Sequence, residues 1–161
     1  AADRLKSLMQ TVLKVIESTI NRHMELISDF VSQGKDNPPV LGLKEYNSYF
    51  FETPKDTGTG TNFKGMLIYD ISILHSTVLP ALAHDSLLFA NVSDETIEQI
   101  LALYARENQK QIFIAFDREG KYNQATQLII KENTVLRLDT DEQALFGWKW
   151  SRKDVENENP I

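Results

Sequence analysis

The chain has no cysteine, which excludes a disulfide framework and any thiolate metal site and makes a reducing compartment, the cytoplasm, the expectation. It has no apolar run near the roughly 18–20 residues of a membrane-spanning helix and no secretory signal, so no membrane partner is expected. Positive charge is scarce. Lys and Arg number 17 against 23 Asp and Glu, and the net charge of −6 argues against a surface that coats nucleic acid, although a local basic patch is still compatible with it. No internal repeat occurs. The chain begins with alanine rather than methionine, so a piece of a longer protein is the expectation.

One further absence concerns a motif. "DTGTGTNFK" (Asp56–Lys64) has the glycine content of a nucleotide P-loop, which needs G-x-x-x-x-G-K-[ST] so that backbone N–H groups cradle phosphate and a lysine reaches the outer phosphates. Gly60 and Gly65 have that spacing, but Met66 and Leu67 stand where Lys and Ser/Thr belong. The loop therefore opens an apolar helix without the lysine of a P-loop.

With 161 residues, 42% of them apolar and 25% charged, the chain suits one soluble globular domain with a real core. Leu5, Leu8, Met9, Val12, Ile16, Ile20, Met24, Ile27 and Val31 recur at three- and four-residue steps, predicting one helix over Asp3–Ser32. Such a helix is roughly 40 Å long, and its narrow stripe suits either packing on its own domain or the returning end of a coiled coil. "GKDNPP" (Gly34–Pro39) ends it, because proline lacks an amide proton and forces its predecessor toward extended geometry.

Beyond it, "EYNSYFFE" (Glu45–Glu52) reads as a strand, and Phe63, Leu67, Ile71 and Leu74 as a helical stripe. "LPALAH" (Leu79–His84) and "KQIFIAFD" (Lys110–Asp117) read as fully buried strands. Ser93 is a good N-cap for a helix whose inner face is Ile97, Ile100, Leu101 and Tyr104. "TQLIIK" and "VLRLD" read as a hairpin, and "LFGWKW" (Leu145–Trp150) as a terminal strand. The order of elements predicts an α/β fold with parallel central strands. The expected divisions are a long helix over 1–33, a linker over 34–44, an α/β lobe over 45–150 and a polar tail over 151–161.

Two features carry chemistry. Asp85 and Asp117 end the two strands at the carboxyl edge of a parallel sheet, where open α/β folds bind ligands. The Gly-Thr loop opens a helix, whose N-terminal amides and dipole favour an anion. "GTGTNFKGMLIYDISIL", "LPALAHDSLLF", "VSDETIEQILALY" and "KQIFIAFD" together resemble the C-terminal half of an ABC-type ATPase head of the SMC and RecN kind, most closely the uncharacterised domain that ends certain bacterial SMC-like ATPases. The resemblance covers about Asp56–Asp117. It implies that Thr57, Gly58, Thr59, Gly60 and Thr61, with Lys64, contact the γ-phosphate of ATP held by another head, so the loop needs no P-loop lysine of its own. It implies that Asp85 is the Walker B aspartate ordering Mg²⁺, a role one acid can fill because magnesium keeps most of its waters. It also implies that Asn91, Ser93 and Asp94 fall near the D-loop and Asp117 at the switch position. The implied partners are an N-terminal lobe carrying Walker A, from the same or another chain, a second head, and DNA through the full-length protein.

The pattern also departs from the family. Ser86 replaces the catalytic glutamate and is a poor base. Asp117 replaces the switch histidine, and the signature is not Leu-Ser-Gly-Gly. Slow hydrolysis by a nucleotide-gated clamp, or substitution by Glu95 or Asp117, would each account for this.

A rival reading joins Asp85 and Asp117 with Asp139 and Asp141 as a metal-dependent nuclease, against which Asp139-Thr-Asp141 has the polar content of an ordinary turn. A third is a non-enzymatic interaction module with all acids solvated. His84 reads as a core histidine, and His23 and His75 lack partners at ligand spacing. Trp148 and Trp150 read as packing, and Lys149, Arg152 and Lys153 as a solvated terminus.

Overall fold

The computed structural model describes residues 2–45, 47–117, 119–139 and 143–144. Two compact units divide it, residues 1–129 and 130–161. In chain order the elements are α1 (Ala2–Ser32), β1 (Val40–Glu45), β2 (Ser48–Glu52), α2 (Thr59–Ser76), β3 (Ala81–His84), α3 (Ser86–Phe89), α4 (Asp94–Tyr104), β4 (Gln111–Ile114) and α5 (Gln124–Asn133), with a 3₁₀ turn at Glu119–Lys121. The fold is mixed α/β, with a long N-terminal helix and, among the described residues, two small sheets.

The stripe of α1 has two different halves. Ile20, Met24, Ile27 and Val31 are buried, whereas Leu5, Leu8, Met9, Val12 and Ile16 are 40–60% exposed. The buried half meets Leu67, Ile68, Ile71 and Leu74 of α2 and Ile97, Ile100, Leu101 and Tyr104 of α4, which form the core with it. Helix α1 stops where expected: Gln33 and Gly34 both turn left-handed, and Pro39 lies buried beyond them.

The first strand lies mostly inside the segment expected to be a linker. Strand β1 pairs antiparallel with β2, with Val40 opposite Glu52 and Leu43 opposite Tyr49. The Phe50 ring covers Gly42, its cross-strand neighbour, so closely that a Cβ there would lie 1.9 Å from it. Helix α1 closes the other edge of β1 with side chains. The Asn21 amide donates to the Leu41 carbonyl and accepts from the Leu41 N–H, both at 2.8 Å, and a Glu17 oxygen accepts from the Leu43 N–H at 2.6 Å. An edge that would otherwise offer unpaired backbone groups is thereby satisfied locally.

Strands β3 and β4 are parallel, with Ala81 opposite Gln111 and His84 opposite Ile114, and the crossover between them carries α3 and α4. The expectation of two fully buried strands fails here. His84 is buried and Leu82, Ile112 and Ile114 are half-buried on the face toward α2 and α4, but Ala83 and Phe113 on the opposite face are exposed. A parallel pair in an α/β fold is ordinarily covered on both faces.

The expected C-terminal hairpin is also corrected. Residues 124–133 form α5, and 134–139 have no regular structure. Asn123 starts the helix, its side-chain oxygen accepting from the Thr126 N–H at 2.9 Å. The run "QLII" suits either period, and the cap decides between them. The terminal strand expected at Leu145–Trp150, the two tryptophans, the Lys149–Lys153 basic cluster and the polar tail lie outside the described residues.

Truncating Ile97, fully buried in α4, leaves a cavity in this core, so Ile97→Ala is expected to cost about 3 kcal/mol in urea unfolding. Leu5→Ala, on the exposed half of α1, is expected to stay within about 0.5 kcal/mol of the parent.

Candidate functional site

The Gly-Thr loop hangs from the hairpin by a tight turn. The Asp56 N–H donates to the Thr53 carbonyl at 3.2 Å, with Pro54 and Lys55 between them and Lys55 left-handed at φ 64°. Helix α2 then starts at Thr59 with Gly58 as its N-cap, a residue that has no side chain to offer. Asp56 stands in for it. One carboxylate oxygen accepts from the Gly58 N–H at 3.0 Å and the other from the Thr61 hydroxyl at 2.7 Å. The Gly58 N–H first, and the Thr61 hydroxyl next, hold the Asp56 carboxyl below its ordinary value of 3.8. The first intrahelical bond runs from the Asn62 N–H to the Gly58 carbonyl at 3.0 Å, so the N–H groups of Thr59, Gly60 and Thr61 precede any intrahelical acceptor.

Gly60 is needed for space rather than for a turn. A Cβ there would lie 2.6 Å from the backbone oxygen of Asn91, in the turn between α3 and α4. The loop expected at the γ-phosphate and the segment expected to be a D-loop thus meet backbone to backbone. Lys64 faces elsewhere: its Nζ is buried in an ion pair with Asp36 at 2.6 Å.

The second half of the site is the carboxyl end of the parallel pair. Asp85 follows β3 and Asp117 follows β4, and both are exposed. The register, with the Ala115 N–H donating to the His84 carbonyl at 2.9 Å, brings the two acids to one edge of the sheet. Ser86 donates its hydroxyl to an Asp85 oxygen at 3.2 Å. A single exposed carboxylate with a neighbouring hydroxyl fits Mg²⁺, which takes one or two carboxylates and fills its remaining positions with water and phosphate oxygens. Ser93 caps α4 as expected, accepting from the Thr96 N–H at 3.4 Å. Asp94 is ion-paired to Lys121, and Glu95 is exposed in the first turn of α4.

Sequence reasoning missed the partners of these groups. Asp56 lay within the quoted stretch, two residues before the N-cap, where its short acidic side chain can bond backbone ahead of it. His84 is a core histidine, as expected, and both its ring nitrogens are bonded. Its Nε2 meets Asp70 of α2 at 3.1 Å and its Nδ1 the Tyr104 hydroxyl of α4 at 2.8 Å, while burial pushes that phenol far upward. Such pairings join elements distant in sequence and leave no local signal.

Among the described residues no group of three or more His, Asp or Glu could hold a metal ion. Asp139 belongs to the unit 130–161, and Asp141 lies outside the described residues.

The mixed α/β fold with its long N-terminal helix has a counterpart among solved structures. A structure solved for work on "ATP-driven dimerization and DNA stimulated activation of SMC ATPases" superimposes with a TM-score of 0.61 at 13% identity, over 83% of this chain and 84% of that one. The chain belongs to the family of uncharacterised proteins conserved in bacteria (DUF2326), which it matches over residues 16–150. No curated protein matches it in sequence. No helix among the described residues is long and apolar enough to cross a membrane.

The Gly60 contact predicts that Gly60→Ala lowers the melting temperature by several degrees. Gly58→Ala, whose Cβ would meet only the movable Asp56 and Thr61 side chains, is expected to change it far less. Asp56 contributes stability that is complete above its unfolded pKa and is lost as pH falls through its lowered folded value. The gap in melting temperature between the parent and Asp56→Asn is therefore expected to be constant from about pH 7 to 5 and to close below about pH 4.

Proposed function

We propose that the chain is the C-terminal half of an SMC/RecN-like ABC-type ATPase head, completed by a lobe that carries Walker A. The observation that carries this reading is the parallel pair β3 and β4, which no third strand joins among the described residues. Two parallel strands alone make a weak sheet, and among the described residues this pair exposes Ala83 and Phe113 on one face while its carboxyl edge presents Asp85 and Asp117. Further strands from a second lobe would cover that face or extend that edge. The SMC ATPase that shares the fold supports the reading, and so does its ATP-driven dimerisation, a property of that protein.

On this reading the Thr57–Thr61 loop faces the γ-phosphate of a nucleotide bound by another head. Asp85, with Ser86 beside it, would hold Mg²⁺, which when bound supplies positive charge against the phosphates. Ser86 has no charge with which to orient an attacking water, so the engaged state persists and the head acts as a clamp; Asp117 and Glu95 are the acids left to assist slow hydrolysis. The exposed apolar half of α1, Leu5 to Ile16, is the seam of a coiled coil that carries head engagement toward DNA or a protein partner. The setting would be DNA maintenance, repair or defence.

The test is co-expression with the lobe that carries the P-loop in the natural system. ATP binding by this chain alone is expected to be undetectable and to appear with the lobe present. Phe113→Glu is expected to abolish copurification with the lobe while leaving the melting temperature of the isolated chain nearly unchanged, since the side chain is half exposed there. Copurification that survives Phe113→Glu would reject the sheet-completion reading. Mn²⁺-dependent DNA cleavage by this chain alone, lost in Asp139→Ala, would replace it with the nuclease reading.

A further inference from the structure

The hairpin of β1 and β2 has two outer edges, and α1 closes only one of them. The N–H and C=O of Leu41 turn outward to Asn21, and the Leu43 N–H turns outward to Glu17. In an antiparallel pair, a residue whose backbone groups point outward stands opposite one whose groups do the same. Leu41 is opposite Phe51 and Leu43 opposite Tyr49, so the N–H and C=O of Tyr49 and Phe51 point away from β1 along the free edge of β2. No third strand joins β2 among the described residues. Ser48–Glu52 also lacks the lysine or proline that commonly blocks a free edge, and the register shift of the pair falls on β1, between Leu43 and Glu45. Ser48, Tyr49, Phe50 and Glu52 are exposed, Tyr49 by 72%.

We propose that this edge pairs with the same edge of a second copy of the chain, antiparallel and about a two-fold axis at Phe50, giving a four-stranded sheet in the order β1, β2, β2, β1. The edge is complementary to itself. Antiparallel pairing about Phe50 sets Tyr49 of each copy opposite Phe51 of the other, and the outward N–H and C=O groups of both strands are then used in four backbone hydrogen bonds. The same register sets Tyr49 against Phe51 on one face and Phe50 against Phe50 on the other, and aromatic cross-strand pairs favour association.

Charge agrees with the antiparallel sense. Glu52 shares the face of Phe50, and the Lys44 ammonium lies over the Phe50 ring, 5.6 Å from its centre. The two-fold carries Glu52 of one copy opposite Ser48 of the other, at the end of the hairpin where Lys44 and Glu45 stand, so Lys44 gains a carboxylate from the second copy. Among the described residues neither Lys44 nor Glu52 is in an ion pair. Parallel pairing in register would instead set Glu52 on Glu52, an unfavourable match of like charges. This contact needs no nucleotide and stands apart from the proposed ATPase role.

The experiment follows the 161-residue chain without nucleotide by sedimentation equilibrium across chain concentrations, with amide hydrogen exchange at both ends of that range. A monomer–dimer equilibrium in the micromolar to sub-millimolar range is expected, as suits a contact through a five-residue strand. The Tyr49 and Phe51 amides are expected to exchange more slowly as concentration rises, while the Phe50 amide, which faces Gly42 of β1, stays unchanged. Tyr49→Pro removes an N–H that the hairpin itself does not use, and proline is tolerated at such an edge position, so the melting temperature is expected to stay near that of the parent. The dimer dissociation constant is expected to rise by about tenfold or more, because each copy loses a donor to the other. Tyr49→Ala, which keeps the N–H and removes the ring, is expected to raise it less.

A chain that sediments as a monomer up to the millimolar range, or a dimer indifferent to Tyr49→Pro, would overturn the assignment. So would slow exchange at Tyr49 and Phe51 that is independent of chain concentration, or that appears only when the lobe carrying the P-loop is added, since the edge would then belong to another occupant.

Discussion

Helix α2 is held by its dipole at both ends, and the rest of the unit 1–129 is arranged around it. At its start the Asp56 carboxylate sits against the positive end, bonded to the Gly58 N–H and the Thr61 hydroxyl. At its close the Lys110 ammonium is bonded to the carbonyls of Leu74 and Thr77. Between the ends, Leu67, Ile68, Ile71 and Leu74 are buried, and the helix packs mainly on α1 and more lightly on β3 and α3. The three histidines of the chain all join α2 to a different part of the unit. His23 of α1 bonds Ser76, His75 bonds Glu107 beyond α4, and His84 of β3 bonds Asp70.

Because α2 is held this way, its N-terminal loop is presented rather than left free. The hairpin reaches that loop through the Thr53–Asp56 turn, and the hairpin is itself bonded to α1 through Asn21 and Glu17. The segment after Asp85 reaches it through the Asn91 carbonyl against Gly60. The long helix and the hairpin are thus joined by short hydrogen bonds, and the segment after Asp85 meets the loop by a close backbone approach. Packing tolerates sliding, whereas hydrogen bonds of 2.6–2.8 Å to backbone groups set register.

Much of the architecture was legible because it is locally encoded. The α1 stripe, the break at "GKDNPP", the Ser93 cap and the inner face of α4 each rest on residues within one or two turns of each other and stand in the structure, although Gln33 and Gly34 rather than the prolines turn the chain out of α1. The two acids at one sheet edge were legible too, because parallel strands linked by a crossover put their carboxyl ends together. The C-terminal hairpin was misread because a short apolar run suits both periods, and Asn123 was not recognised as a cap. Strand β1 was passed over because "VLGLKE" owes its edge bonding to Asn21 and Glu17, some twenty residues away.

The amino-acid sequence by itself determined the class of fold, the place of the loop at a helix start, and the absence of a P-loop lysine, since these depend on periodicity, caps and motif spacing. Only the tertiary structure decided what the loop residues do. It turned Lys64 toward Asp36 and gave the Thr61 hydroxyl to Asp56, and it made Gly60 a spacing residue under the Asn91 carbonyl. It also left Ala83 and Phe113 exposed on one face of β3 and β4. A side chain has few donors, and which partner takes them depends on the elements that packing brings within about 3 Å, a distance that sequence spacing does not encode.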